Sequence, residues 1–273
     1  MEPIIREAKP EDKPFIEEIA RLTWGGEDYL ARVFDSWVED GNFYVLEFDR
    51  RIIGTAKLTF LPSKVGWMEG LRVHPNYRGR GFGRLLHNFI VDMGRKLAEE
   101  GRIDALEFAT YFLNRESIAM AKKDGFKVLI RFLSLAAKVK DFEPVEPEPA
   151  ELTMEDLTLG IIPLGWKFVH RSEEALEWLR RKAEVYEISG FKFLVEKGRA
   201  TFTPLSFGLG CIRAMLPAMA WVAKERDEVF ELMLPASMME VLPGIKRLGL
   251  GLWDETDEPN VLVFRKGLRA IQG

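Results

Sequence analysis

Three arginines and three glycines crowd into "RGRGFGR", residues 78–84, between an apolar run that reads as a strand and one that reads as a helix. Glycines let a chain turn through positive φ and bring backbone N–H groups against a ligand. The first turn of a helix adds its own unpaired N–H groups, so the junction is built as an anion cradle. Arg78, Arg80 and Arg84 supply cationic donors suited to phosphate oxygens, in a chain whose formal charge is -4. Two phosphate motifs fail on spelling. No Lys-Ser or Lys-Thr follows the glycines, and Gly79, Gly81 and Gly83 run G-x-G-x-G rather than G-x-G-x-x-G. The strands upstream are joined by short turns, so the strand that precedes the cradle is not expected to sit in a βαβ unit.

The elements that must position this loop follow from periodicity. "PIIREAKPED" reads as a strand, "KPFIEEIARLTW" and "EDYLARVFDSWVED" as amphipathic helices. "NFYVLEFD", "RIIGTAKLTFLP" and "VGWMEGLRV" are rich in β-branched and aromatic residues and predict consecutive antiparallel strands, the first two joined through Asp49, Arg50 and Arg51. Leu85, Leu86, Phe89, Ile90, Met93 and Leu97 predict a helix ending at Gly101. "IDALEFAT" is then a strand, "RESIAMAKKD" a helix stopped by Gly125, and "FKVLIRFLSLAAK" a strand or strand pair. The order βααβββαβαβ is an α/β (α+β) arrangement with a mixed, mostly antiparallel sheet flanked by helices.

Lys138 to Glu155, "KVKDFEPVEPEPAELTME", has little to bury and predicts extended chain. The expected organisation is a first domain over 1–140, an acidic proline-rich linker over 141–155 and a smaller α/β domain over 156–273. In the latter, "GIIPLGWKFVH" reads as a strand, "SEEALEWLRRKAEVY" as a helix capped by Ser172, "FKFLVEK" and "RATFTP" as strands, and Ile212 to Ala223 as a helix. "DALEFATYFLNRESIAMAKKDGFKVLIRFLSLAAK" is faintly echoed by "DEVFELMLPASMMEVLPGIKRLGLGLWDETDEPNVLVFRK". Either one supersecondary unit occurs twice, the second degenerate, or two α/β segments share only a generic pattern.

At 273 residues with 47% hydrophobic and 30% charged residues, the composition is that of a soluble globular chain. The acidic balance excludes a general affinity for nucleic acid or anionic membrane. Neither a signal peptide nor an 18-residue apolar run is present, so the cytoplasm is the expected location. Cys211, the single cysteine, fits a reducing compartment and reads as a small buried apolar residue. His74, His87 and His170 show no metal-ligand spacing and are expected to be structural or solvated, so no metal is assigned.

"RGRGFG", preceded by "LRVHP" and followed by an amphipathic helix, resembles the R-x-x-G-x-G loop of the GCN5-related N-acetyltransferase (GNAT) family, and "NRESIAMAKKDGF", 114–126, resembles its second signature. The resemblance covers roughly residues 3–137. It implies that Arg78, Gly79, Arg80, Gly81, Phe82, Gly83 and Arg84 hold the pyrophosphate of acetyl-CoA. The strand residues Leu71, Arg72 and Val73 would take the pantetheine arm, with Leu71 N–H as oxyanion donor. Glu69, two residues before Leu71 and so expected on the same strand face, is the implied base or substrate anchor, the alternative being a solvated strand-end glutamate. Where family members carry a general-acid tyrosine, this chain has Ala121; Tyr111 is the substitute candidate, or else a packed aromatic. Asn114 would bond cofactor or substrate, or cap its helix. The overall plan is similar to the branch containing histidine N-acetyltransferases, which implies a small amino acid or related amine as acceptor. An acetyltransferase for protein N-termini or lysines and a non-catalytic acetyl-CoA sensor are the alternatives.

Overall fold

The computed structural model describes residues 2–26, 28–256 and 258–268. The chain divides into two compact units, Met1–Phe108 with Arg265–Gly273, and Ala109–Phe264.

The first unit runs β1 (Ile4–Glu7), α1 (Lys13–Arg21), α2 (Leu30–Asp40), β2 (Phe43–Phe48), β3 (Arg51–Leu61), β4 (Val65–Val73), α3 (Phe82–Glu99) and the start of β5 (Ala105–Tyr111). Helical spacing puts Ile16 and Ile19 of α1 and Leu30, Phe34 and Trp37 of α2 on inward faces, where they close over Phe43, Val45 and Ile52. The β2–β3 turn places Asp49 and Arg50 at φ 52° and 61°, the left-handed pair whose twist suits a two-residue hairpin. The strands lie in the order β1-β2-β3-β4-β5, antiparallel except for β4 and β5, which are parallel. β4, α3 and β5 therefore form a crossover, contrary to the expectation drawn from the upstream hairpins; the helix after the cradle, not the turns before it, sets that connection. α3 ends as predicted, with Gly101 at φ +74° and Arg102 N–H bonded back to Leu97 O at 2.9 Å.

The second unit takes the end of β5, then α4 (Arg115–Lys123), β6 (Lys127–Lys138), β7 (Glu148–Pro149), β8 (Ile161–Leu164), β9 (Lys167–His170), α5 (Glu173–Lys182), β10 (Ala183–Ile188), β11 (Phe191–Glu196), β12 (Thr201–Pro204), α6 (Leu209–Ala223), β13 (Val229–Pro235), α7 (Leu242–Lys246) and most of β14 (Val261–Gly267). β7-β10-β11-β12 are antiparallel neighbours, β12 and β13 are parallel with α6 between them in sequence, and β13 pairs antiparallel with β6. Taken separately, β1-β2-β3-β4-β5 and β7-β10-β11-β12-β13 follow one scheme: three antiparallel pairings, then a helical crossover to a parallel strand. The core of the second unit is Phe193, Phe202, Phe230 and Leu232 beneath Ile212, Met215 and Met219 of α6.

Three expectations change here. "GIIPLGWKFVH" is a hairpin rather than one strand, turned at Gly165 with φ +58°. The helix starting at Ser172, whose Oγ accepts Ala175 N–H at 3.1 Å, stops at Lys182, and "AEVY" opens β10. The packing division falls within β5, not at the proline-rich stretch expected to separate 1–140 from 156–273. That stretch is a strap on the second unit: Phe142 stacks on Phe230, Val145 N–H bonds Pro217 O at 3.1 Å, Leu152 and Leu157 are buried, and Arg180 clasps Leu152 O through two nitrogens at 3.0 and 2.7 Å. Apolar residues spaced among the prolines and glutamates give it something to bury after all.

On β13, Glu231 lies between the buried Phe230 and Leu232, and accepts the indole N–H groups of Trp166 and Trp253. Burial pushes its carboxyl above the ordinary range, despite those two donors. A carboxyl raised in the folded state stabilises most at acid pH, and that contribution is lost as pH rises through its folded pKa. Glu231→Gln keeps an acceptor for the indoles without the charge. Its melting temperature should exceed wild type at neutral pH and converge on it below the carboxylate range; a pH-independent difference would disprove the burial effect.

Candidate active site

β4 carries the first half of the site, and its shape depends on a bulge. Thr55 on β3 pairs with Arg72 and Lys57 with Glu69, so Gly70 and Leu71 together oppose Ala56. Gly70 sits at φ +66°, its carbonyl accepts the Thr55 hydroxyl at 2.6 Å, and an added Cβ would lie 2.5 Å from the Trp37 ring. Conformation and space both demand glycine there. On the other edge, β4 pairs with β5 only over Val65–Trp67. The strand continues through Met68–Val73 beyond that pairing, which leaves this edge for a strand-like ligand arm.

The cradle follows. His74 opens a short 3-10 turn, its Nδ1 accepting Asn76 N–H at 3.2 Å, so this histidine is structural. Arg78 Nε donates to Val73 O at 3.1 Å and ties the loop back to the strand. Gly79 and Gly81 take φ +73° and +85°, and Gly81 is the N-cap of α3, with no side chain capping the helix. The first-turn N–H groups, those of Phe82, Gly83 and Arg84, are aimed at whatever anion the loop admits. Phe82 is buried and anchors the turn; a Cβ on Gly83 would make only ordinary contact with Val73, at 3.6 Å. The Arg80 guanidinium lies over the rings of Phe48, Phe82 and Tyr77, 5.2, 5.3 and 5.6 Å from their centroids.

A polar face completes the first unit. Glu69 Oε1 accepts the Thr59 hydroxyl at 2.5 Å. Arg72 Nε bonds the buried Asp28 carboxylate at 2.5 Å, while its guanidinium stacks over Tyr29. The buried Lys57 ammonium donates to Gly41 O at 2.5 Å. The bulge breaks the two-residue alternation expected to bring Glu69 and Leu71 to one face. Because Thr55 and Lys57 share a face, their partners Arg72 and Glu69 share it instead. Sequence reasoning missed Asp28, Tyr29 and Thr59. Asp28 had one readable signal, a carboxylate just ahead of α2, where its Oδ1 takes Leu30 N–H at 2.9 Å.

The remaining candidates lie in the second unit and are described there alone. Asn114 is the N-cap of α4, accepting Ser117 N–H at 3.3 Å. Ala121 is fully buried. The Tyr111 hydroxyl donates to Asp254 Oδ2 at 3.0 Å, and burial together with that carboxylate pushes the phenol up to about 12. Cys211 is partly buried, its thiol directed at Phe207 O. Among the described residues, no group of three or more His, Cys, Asp and Glu is placed to hold a metal ion, and no helix is long and apolar enough to cross a membrane.

The site is thus built from a bulged strand, a glycine-arginine turn and an uncapped helix leading by crossover to a parallel strand. Residues 10–126 match the model of the acetyltransferase (GNAT) family. The histidine N-acetyltransferase of Xenopus tropicalis is 26% identical over 157 residues, 52% of this chain and 48% of that protein, so the match spans about half the relative's length. Two solved structures share the fold over nearly the whole chain. An acetyltransferase candidate from Thermoplasma acidophilum has 17% identity, coverage of 97% of this chain and 99% of that one, and a TM-score of 0.67. A tandem GNAT protein from the clavulanic acid biosynthesis pathway, without AcCoA, has 13% identity, coverage of 98% and 99%, and a TM-score of 0.61.

The bulge yields a stability prediction. Gly70→Ala forces a left-handed alanine against Trp37, and should lower the unfolding free energy in urea by roughly 2–5 kcal/mol. A loss below about 1 kcal/mol would show that the strand reshapes freely.

Proposed function

We propose that the protein transfers an acetyl group from acetyl-CoA to the primary amine of a small molecule, with a free amino acid as the first candidate. One observation carries this reading: the helix-opening Gly81 cradle stands directly downstream of a strand whose pairing with β5 stops at Trp67. The donor's pyrophosphate lies on the backbone N–H groups of residues 79–84 and its pantetheine arm runs along Leu71, Arg72 and Val73. Leu71 N–H faces the thioester oxygen, where negative charge develops. Glu69, held by Thr59, removes the amine proton directly or through water. The amine nitrogen bonds to the carbonyl carbon, the C–S bond breaks, and coenzyme A leaves as its thiolate.

That departure proceeds without a dedicated acid. Ala121 has no proton to give, and the Tyr111 hydroxyl is directed at Asp254 with its phenol held near 12. A thiolate is a good enough leaving group for this to suffice. The same absence is the observation that favours the second reading, a protein that binds acetyl-CoA without turnover. Asn114 serves mainly as a helix cap, its amide N–H left for donor or acceptor.

The second unit reads as a degenerate GNAT repeat that no longer binds the donor. Its strand scheme and the tandem arrangement of a structural relative support this. At the position of the cradle, Leu205–Gly208 is short, lacks arginine, and leads into Leu209, whose side chain packs against Gly244. The histidine N-acetyltransferase match supports an amino-acid acceptor. The single cysteine suits the cytoplasm.

Thiol release from acetyl-CoA across a panel of free amino acids, other amines and peptides tests this. Turnover should be fastest with a small amine, and Glu69→Gln should lower kcat by about 10²–10⁴-fold. Binding of acetyl-CoA with no turnover on any amine or peptide would remove the enzyme claim in favour of the sensor. Gly81→Asp, which puts a carboxylate in the cradle, should abolish acetyl-CoA binding by calorimetry while the protein stays folded; unchanged affinity would refute the cradle.

A further inference from the structure

The three arginines of the turn are not equivalent. Arg78 is tied to Val73 O, and Arg84 lies in the first turn of α3. Arg80 is exposed, and among the described residues its guanidinium makes ring contacts only, with Phe48, Tyr77 and Phe82. Those rings come from the end of β2, the 3-10 turn and the first residue of α3. They hold the cation from three directions while leaving its N–H fork unspent. Stacking on ring faces orients a guanidinium without consuming its in-plane donors, which is a pre-organised arrangement for a phosphate.

Acetyl-CoA carries two kinds of phosphate. The pyrophosphate oxygens suit the backbone N–H groups of the turn and of α3, which are already aimed there. The ribose 3′-phosphate is a terminal monoester with a charge of about -1.5 to -2 and three free oxygens, the acceptor that a guanidinium fork matches best. Phe48 and Tyr77 hold Arg80 at the flank of the loop by the β2–β3 hairpin, so its charge remains for this outer group.

We propose that Arg80, caged by Phe48, Tyr77 and Phe82, binds the 3′-phosphate and makes the protein select acetyl-CoA over acetyl-dephospho-CoA. This rests on the acetyl-CoA reading above. Calorimetric titration of both compounds into wild type, Arg80→Ala, Arg80→Lys and Phe48→Leu tests it. Wild type should prefer acetyl-CoA by about tenfold or more. Arg80→Ala should erase the preference while leaving affinity for the dephospho compound within about twofold. Arg80→Lys should keep only part of it, because the fork is lost, and Phe48→Leu should reduce it by loosening the cage. Equal weakening of both compounds in Arg80→Ala would assign the arginine to the pyrophosphate and overturn the proposal. Equal affinity of wild type for both would overturn it and leave acetyl-CoA binding intact. Binding of neither would overturn the donor reading as well.

Discussion

The hydrogen bond from Thr55 to the carbonyl of Gly70 fixes the one irregularity on which the site depends. A regular β4 would keep the two-residue alternation and put Glu69 on Leu71's face. The bulge spends an extra residue, which only glycine can supply beneath Trp37, and so brings Arg72 to the face of Glu69. Arg72 then reaches the buried Asp28 and fastens the start of α2 to β4. The aromatic packing of α2 on β2 and β3 is what makes the bulge rigid, since Trp37 is held edge-on by Phe43 and Tyr29.

The two units follow one strand scheme with different turns ahead of the crossover helix. Each makes three antiparallel pairings and a crossover, and each opens its crossover helix with a glycine, Gly81 in one and Gly208 in the other. What separates them is the turn between: charged, open and arginine-bearing in the first, short and apolar in the second. Apolar packing has a use for Leu209 that an anion does not, and the core around α6 is correspondingly dense with Met215, Met219, Phe202 and Phe230.

Most of the first unit was legible in the sequence because its signals are local. Helical spacing, the Gly101 terminator and the 78–84 turn all act within a few residues. The Asp28–Arg72 pair, the Thr59–Glu69 bond and the bulge were not legible, because each depends on which residues the strand register brings opposite one another. The strap over 139–157 misled for the related reason that composition counts prolines and glutamates but not where Phe142, Leu152 and Leu157 fall. β10 was misread as helix because "AEVY" continues the pattern of α5 for one turn before pairing with β11 takes over.

The chain leaves the first unit within β5 and comes back to it at Arg265, where the guanidinium meets the buried Glu107 and Leu268 N–H bonds Asp104 O at 3.0 Å. The Glu107–Arg265 pair joins residues 158 apart in sequence. During synthesis on the ribosome, the first unit can assemble its helices and most of its strands, yet the Arg265 contact to this interior carboxylate forms only once residue 265 has been made. The first unit is thus finished only after the whole of the second has been made.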